Sequence, residues 1–503
     1  MSLGQAFVES ATQNADALAL SDGSVRLTYG DLQERAAAVA GCLVARGLQP
    51  GDRLLTLLTN RWETATLYWA CQMSGVVFTP FNWRATAEEV AIILADSEAK
   101  LVICEHITAS AAPADSINID DDFSELSASE PLATPVEVAT EDPCLMLYTS
   151  GTTGGPKGVP RSHAAELAAG RNAITQLGYR RGEVQLGVMP LFHTMGVRQL
   201  LTCELLGGHW VAMAQFDAGA ALAHIVEERI SALFLVPTVF HDIVNHPDIA
   251  NADLSSVRTI GYAGMSMRSA LTARCVEVFR PQRFHNFYGS SEIFTFTVCD
   301  HVADKPGCAG RPGIGQEIRI VRADAAPTVH RDDTVPQGRL GEIIASMASP
   351  EAFRGYWRRP DADTKAIRDG WYFTGDLGYF DEDGELYVIG RVDDMIISGG
   401  ENIHPEEVED VLTCSPLVRQ AAVIGVADKR WGERVTAFVE PAQTDASAVA
   451  LDSYCLDNGL ARFKRPRDYV FVAKIPRSGS GKLLRRELRD GNYRGLLSYD
   501  TRL

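Results

Sequence analysis

Two short runs, Lys100–Glu105 (KLVICE) and Ser231–Pro237 (SALFLVP), are apolar, β-branched or aromatic over nearly their whole length. A strand that is apolar on successive residues, not only on alternate ones, is buried on both faces. Both faces are covered when helices cross between parallel strands, so these runs predict an α/β architecture of mainly parallel sheets. The helices are legible too. In Leu27–Asp52, Thr28 is placed to cap a helix with Asp31 in its first turn. Leu32, Ala36, Val39 and Leu43 then recur at helical spacing, and Gly47 closes the segment. The stretch from Ala111 to Asp142 is rich in Ala, Ser and acids and weakly periodic. It is expected to be a surface excursion leading into a strand at Leu145–Tyr148.

A chain of 503 residues exceeds what one core supports. The best boundary lies late, where strand-like runs joined by Asp-Gly turns, including Asp381–Glu385 (DEDGE), give way to Pro405, Glu406 and Glu407 opening a new helix. The expected hinge is Asp393, dividing residues 1–392 from a C-terminal domain over 393–503. A segment of about 110 residues is ample for independent folding.

With 46% hydrophobic and 22% charged residues the chain is globular. Its 65 acidic against 47 basic residues, net −18, argue against nucleic acid or an anionic membrane as partner. No apolar run approaches the ~18 residues of a membrane helix, and the first residues lack a signal peptide's pattern, so no transmembrane segment and a cytoplasmic location are expected. The ten cysteines include no CxxC pair, which points to free thiols and not to zinc or disulfides.

The chemistry concentrates in Leu147–His163, LYTSGTTGGPKGVPRSH. Counted from Gly151, a nucleotide P-loop requires Gly where Pro156 stands and Ser or Thr where Gly158 stands, so that reading fails twice. The loop still offers hydroxyls at Thr149, Ser150, Thr152 and Thr153, and backbone N–H groups freed by Gly151, Gly154 and Gly155. These suit the β- and γ-phosphates of ATP, with Lys157 adding charge.

This loop resembles the signature of the adenylate-forming enzymes, which include acyl-CoA synthetases, firefly luciferase and peptide-synthetase adenylation domains. Four further segments follow in that family's order: Tyr288–Glu292 (YGSSE), Tyr372–Gly378 (YFTGDLG), Gly390–Glu409 and Pro476–Leu488. The resemblance implies a large N-terminal domain of mainly parallel sheets flanked by helices, with a β-rich subdomain, and a small mobile α+β C-terminal domain. It implies an acid–thiol ligase that joins a carboxylate to ATP, giving acyl-AMP and pyrophosphate, and then forms acyl-CoA and AMP.

The same resemblance assigns roles. Glu292 and Thr152 hold Mg²⁺, and Ser291, where the family usually has Thr, keeps a hydroxyl for the α-phosphate. Tyr288 and Gly289 contribute to the ATP site, and Asp376 takes the ribose hydroxyls with Arg391 beside it. Lys482 resembles the catalytic lysine of adenylation, in a motif where Ser480 replaces the usual Thr. Asp393 resembles the family's pivot. For coenzyme A the candidates are Arg84, Gly399, Gly400, Trp431, Phe463 and Arg465, with Lys464 alongside. The acyl pocket is assigned to His193, Thr194, Met195, Val239, Phe240, Ala263, Gly264, Ile293, Phe294 and Thr295, a largely apolar set. Phe287 stands where relatives that take dicarboxylic acids carry Arg, which disfavours malonate. Arg198 is expected to face solvent more than substrate. The motifs most resemble those of 4-chlorobenzoate- and benzoate-type ligases and short- to medium-chain acyl-CoA synthetases, so aryl and aliphatic acids both stay open. A stand-alone enzyme that loads a carrier protein is the alternative, and a homodimer is left open.

Overall fold

The computed structural model describes residues 1–127, 130–149, 155–323, 329–477, 483–496 and 499. Two compact units emerge, one of residues 1–318 and 345–372, the other of 319–344 and 373–503.

The first unit carries two sheets. One has six strands in the order Ile117–Asn118, Leu101–Cys104, Arg53–Leu57, Val77–Pro80, Pro143–Thr149 and Lys157–Ser162, parallel except for the last. The other has nine, with five consecutive parallel pairings running from Arg283–Tyr288 through Thr259–Ala263, Ala232–Leu235, Val184–Gly187 and His209–Ala212 to Leu18–Asp22. Both apolar runs are thus buried strands, and Pro237 opens the helix Pro237–Val244 directly after the second. The helix Tyr29–Ala45 starts with a reciprocal cap between Thr28 and Asp31, and Leu32, Ala36, Val39 and Leu43 are wholly buried. The main core gathers buried residues of the helix Tyr29–Ala45, of the helix Trp62–Ser74, which is buried all round, and of strands of both sheets.

One expectation needs correction. The segment before the Pro143–Thr149 strand is more than an excursion, because it folds the helix Ile119–Ser127 and buries Phe123 and Leu126 in the main core. Weak periodicity in a short helix, anchored by Ile119, Phe123 and Leu126, hid this.

The second unit includes a hairpin in which residues 376–380 pair with Leu386–Arg391, closed by the expected Asp-Gly turn. After a short turn at Val392–Asp394 comes a separate sheet of Glu401–Ile403, Ile396–Ser398, Gly432–Pro441 and Val418–Asp428, with Asp468–Phe471 parallel to Gly432–Pro441. The helix Pro405–Thr413, opened by Pro405 as expected, and the helix Ala448–Asp457 enclose its core of Ile396, Val408, Leu412, Val423 and Leu451. No described helix is long and apolar enough to cross a membrane. All ten cysteines are free, and nine are buried.

Candidate active site

Four neighbouring parallel strands of the nine-stranded sheet end at the pocket segments. Val184–Gly187 leads to His193 and Met195, Ala232–Leu235 to Val239 and Phe240, Thr259–Ala263 to Gly264, and Arg283–Tyr288 to Gly289–Thr295. Tyr262 pairs with Leu235 and Ala263 with Phe287, so the loops start side by side. Carboxyl ends of parallel strands are where α/β sheets bind ligands. Met195, Phe294 and Thr295 are buried there, while His193, Thr194, Val239 and Ala263 are half-buried. Phe234, Phe287 and Phe294 form an aromatic cluster, with ring centroids 5.7 and 6.3 Å apart. Phe240 turns into the core, its ring edge-on to Phe279 at 6.1 Å.

The Tyr288–Glu292 segment is a tight turn. Ser290 N–H donates to the Ile293 carbonyl at 2.9 Å, and the Ser290 hydroxyl accepts from the N–H groups of Glu292 and Ile293. A Cβ on Gly289 would stand 1.7 Å from the Phe294 carbonyl oxygen, so no other residue fits. Tyr288 and Ser291 are half-buried, and the Tyr288 ring lies 5.1 Å from Phe296. Glu292 is 6% exposed. Its Oε1 accepts the Tyr356 hydroxyl at 2.7 Å, and its carbonyl accepts from Arg161 Nη1 and the Phe353 N–H, both at 2.8 Å. A buried carboxylate turn of this kind suits Mg²⁺, a hard cation taken by oxygen ligands. Lys157 Nζ lies 4.1 Å from the Tyr356 ring centroid, and Thr149 pairs with Lys157 across the strands.

Arg198 overturns its expectation. Its side chain is 1% exposed and grips Glu166 through Nη1 at 2.7 Å and Nη2 at 2.8 Å; Arg161 Nε reaches the same carboxylate at 2.9 Å. The Arg198 guanidinium also lies 4.5 Å from the Phe294 ring centroid. Burial pushes Glu166 up, yet the two arginines more than offset this and hold it below the ordinary carboxylate range. Glu351, wholly buried, accepts from Asn172 Nδ2 at 2.8 Å and from Thr295 N–H at 2.9 Å; burial raises its carboxyl. Sequence reading missed this network. The available signal was weak: Arg198 stands in Thr194–Leu205 among Met195, Val197, Leu200 and Leu201, and a charge drawn inside with such residues is costly unless paired.

In the second unit Asp376 and Arg391 are register partners in the hairpin, and Arg391 Nη1 donates to Asp376 Oδ1 at 2.8 Å. Gly399 and Gly400, at φ +63° and +86°, form the two-residue turn between Ile396–Ser398 and Glu401–Ile403, a geometry that glycine pairs favour. The Trp431 ring packs 3.0 Å from where a Gly399 Cβ would be, and Gly399 N–H donates to the Trp431 carbonyl at 2.7 Å. Arg467 lies 4.0 Å and Arg430 4.8 Å from the Trp431 ring centroid, two cations that the candidate coenzyme A set did not include. Phe463 is exposed, Lys464 pairs with Glu407 at 2.7 Å, and Arg465 is committed to Asp452. Asp393 is exposed in the Val392–Asp394 turn. In the first unit Arg84 is exposed and stacks 3.8 Å from the Trp83 ring centroid. Ser150, Gly151, Thr152, Thr153, Ser480 and Lys482 lie outside the described residues.

The profile described as AMP-binding enzyme matches residues 7–357, and that of the AMP-binding enzyme C-terminal domain matches 407–482. A feruloyl-CoA synthase of an Amycolatopsis species is 37% identical over 97% of this chain and 98% of its own. A 4-chlorobenzoate–CoA ligase of an Arthrobacter species is 34% identical over 96% and 93%. A fatty acid–[acyl-carrier-protein] ligase of Streptomyces coeruleorubidus is 34% identical over 92% and 91%. Among solved structures, the o-succinylbenzoate CoA synthetase of Bacillus subtilis with its acyl-adenylate superposes with a TM-score of 0.87 at 28% identity, covering 98% of this chain and 99% of that one.

Proposed function

The chain belongs to the AMP-binding enzyme family, and from that premise we propose which acid it activates and which residues divide the work. As an AMP-forming acid–thiol ligase, it activates a hydrophobic carboxylic acid with ATP and passes the acyl group to coenzyme A. The proposed acid is aromatic, of the benzoate or hydroxycinnamate class. The observation that carries this is the Phe234–Phe287–Phe294 cluster at the strand ends, which gives a planar ring offset and edge contacts. The names of the feruloyl and chlorobenzoate relatives agree with it.

Attack of a carboxylate on a triphosphate joins two anions, so the residues' first task is to gather positive charge and oriented donors around the α-phosphate. Thr149, the hydroxyl loop and Lys157 bind the β- and γ-phosphates. Glu292 and Thr152 would hold Mg²⁺, which supplies charge neutralisation when bound. Ser291 donates to the α-phosphate, and Asp376, oriented by Arg391, accepts the ribose hydroxyls. Lys482 meets the charge developing at the α-phosphate. Turning at Asp393 then withdraws Lys482 and presents Ser398–Asn402 to the thiol. Trp431, Phe463, Arg465 and Arg84 serve the nucleotide end of coenzyme A.

The test is a carboxylate screen that couples pyrophosphate release to coenzyme A consumption over benzoates, hydroxycinnamates and C2–C16 fatty acids. A fatty acid with the highest kcat/KM would overturn the aromatic assignment. Lys482→Ala should lower acyl-adenylate formation ~10²–10³-fold, the scale of one preorganised transition-state contact. Given pre-made acyl-adenylate, the variant should form thioester at a near-normal rate. Equal losses in both steps would end the division of labour.

A further inference from the structure

The segment Glu351–Trp357 played no part in the assignment of roles, yet it holds the Glu292 turn at four points. Glu351 Oε2 accepts Thr295 N–H at 2.9 Å, Ala352 bridges to Ile293, Phe353 N–H donates to the Glu292 carbonyl at 2.8 Å, and the Tyr356 hydroxyl donates to Glu292 Oε1 at 2.7 Å. The first three contacts fix backbone. Only the fourth fixes the carboxylate, and among the described residues Tyr356 is the one side chain that donates to it.

Tyr356 is itself held firmly. It is 5% exposed, its ring packs edge-on against Phe353 at 4.9 Å, and its N–H donates to Asp363 Oδ1 at 2.7 Å. The same ring carries Lys157 Nζ at 4.1 Å on its face. One side chain therefore touches both the acid assigned to the metal and the lysine assigned to the phosphates. A hydroxyl donated to one carboxylate oxygen fixes the rotamer of that carboxylate and leaves the second oxygen to ligate. The ring face adds a cation–π contact that sets where the ammonium rests.

We propose that Tyr356 is a positioning residue: its hydroxyl presents the Glu292 carboxylate to the ATP-bound divalent cation, and its ring seats Lys157. This rests on the reading of Glu292 as the metal ligand.

The closing experiment separates the two. Mn²⁺ is titrated with ATP into wild type, Tyr356→Phe and Glu292→Gln, and bound metal is read by electron paramagnetic resonance, which needs no turnover. Thermal midpoints confirm that each variant is folded. Tyr356→Phe keeps the ring and should weaken Mn²⁺ binding about tenfold, the lower end for loss of an outer-sphere partner. The Mg²⁺ concentration for half-maximal pyrophosphate exchange should rise by a similar factor, with the rate recovering at saturating Mg²⁺ and KM for coenzyme A unmoved. A residue that only packs would change neither metal titration. If Glu292→Gln weakens Mn²⁺ binding and Tyr356→Phe does not, the positioning role is overturned while the ligand reading survives. If neither variant weakens it, the ligand reading falls and takes this inference with it.

Discussion

Arg198 and Glu166 meet at 2.7 Å, and so do Lys464 and Glu407. The first pair is 1% and 0% exposed behind the Glu292 turn; the second is 22% and 42% exposed in the second unit. Equal distances conceal unequal energies. Exposed ion pairs contribute ~0–1 kcal/mol because water and salt compete with them. A buried charge that loses its partner has no water to replace it. The buried network therefore fixes the backbone of the Glu292 turn, while the exposed pair is held only weakly.

The largest effect should come from breaking the buried side. Glu166→Gln leaves Arg161 and Arg198 short of a counter-charge and should cost about 3–5 kcal/mol, read as a lowered urea midpoint. Because Arg161 also clamps the Glu292 carbonyl, adenylation should fall with it. A loss below about 1 kcal/mol would show that burial does not separate the two pairs. At the half-buried Arg465–Asp452 pair of the second unit, Arg465→Ala should raise KM for coenzyme A about tenfold, the lower end for a charge-assisted contact, and leave pyrophosphate exchange intact. Unchanged coenzyme A kinetics would return Arg465 to a purely structural role with Asp452.

A smaller effect sharpens the contrast between a paired and an unpaired buried acid. Glu204 is wholly buried, neither carboxylate oxygen has a partner, and burial raises its carboxyl well above the ordinary value. A raised folded value means stability that is complete below the unfolded carboxylate value, about pH 4.3, and lost as pH rises through the folded value. As pH rises from about 5 to about 9 the wild-type melting temperature should therefore fall further than that of Glu204→Gln. Parallel melting curves would refute this. Glu407→Gln, at the exposed pair, should be the least harmful, below about 1 kcal/mol.

Much was legible in the sequence alone. Thr28 and Asp31, Pro237, Pro405 and the DEDGE turn each act within a few residues of chain, and each appears where local chemistry put it. The motif order carried the family and the reaction for the same reason, since each phosphate-handling segment is contiguous. Gly399 and Gly400 show the limit of that legibility. They were assigned to make room for a thiol arm, and the structure shows the turn itself requiring their positive φ.

Contacts made across long separations were not legible. Glu292 and Tyr356 are 64 residues apart, Arg161 and the Glu292 carbonyl 131, and Arg161 and the Glu351 carbonyl 190. No periodicity or spacing in one chain encodes which distant charge will answer Arg198. The sequence determined that the arginine lies among Met195, Val197, Leu200 and Leu201; the packing of its helix decided that it is buried against Glu166 and not solvated. Local propensity acts through near neighbours, whereas a buried ion pair exists only once sheets and helices have closed around it and removed the water that either charge would otherwise prefer.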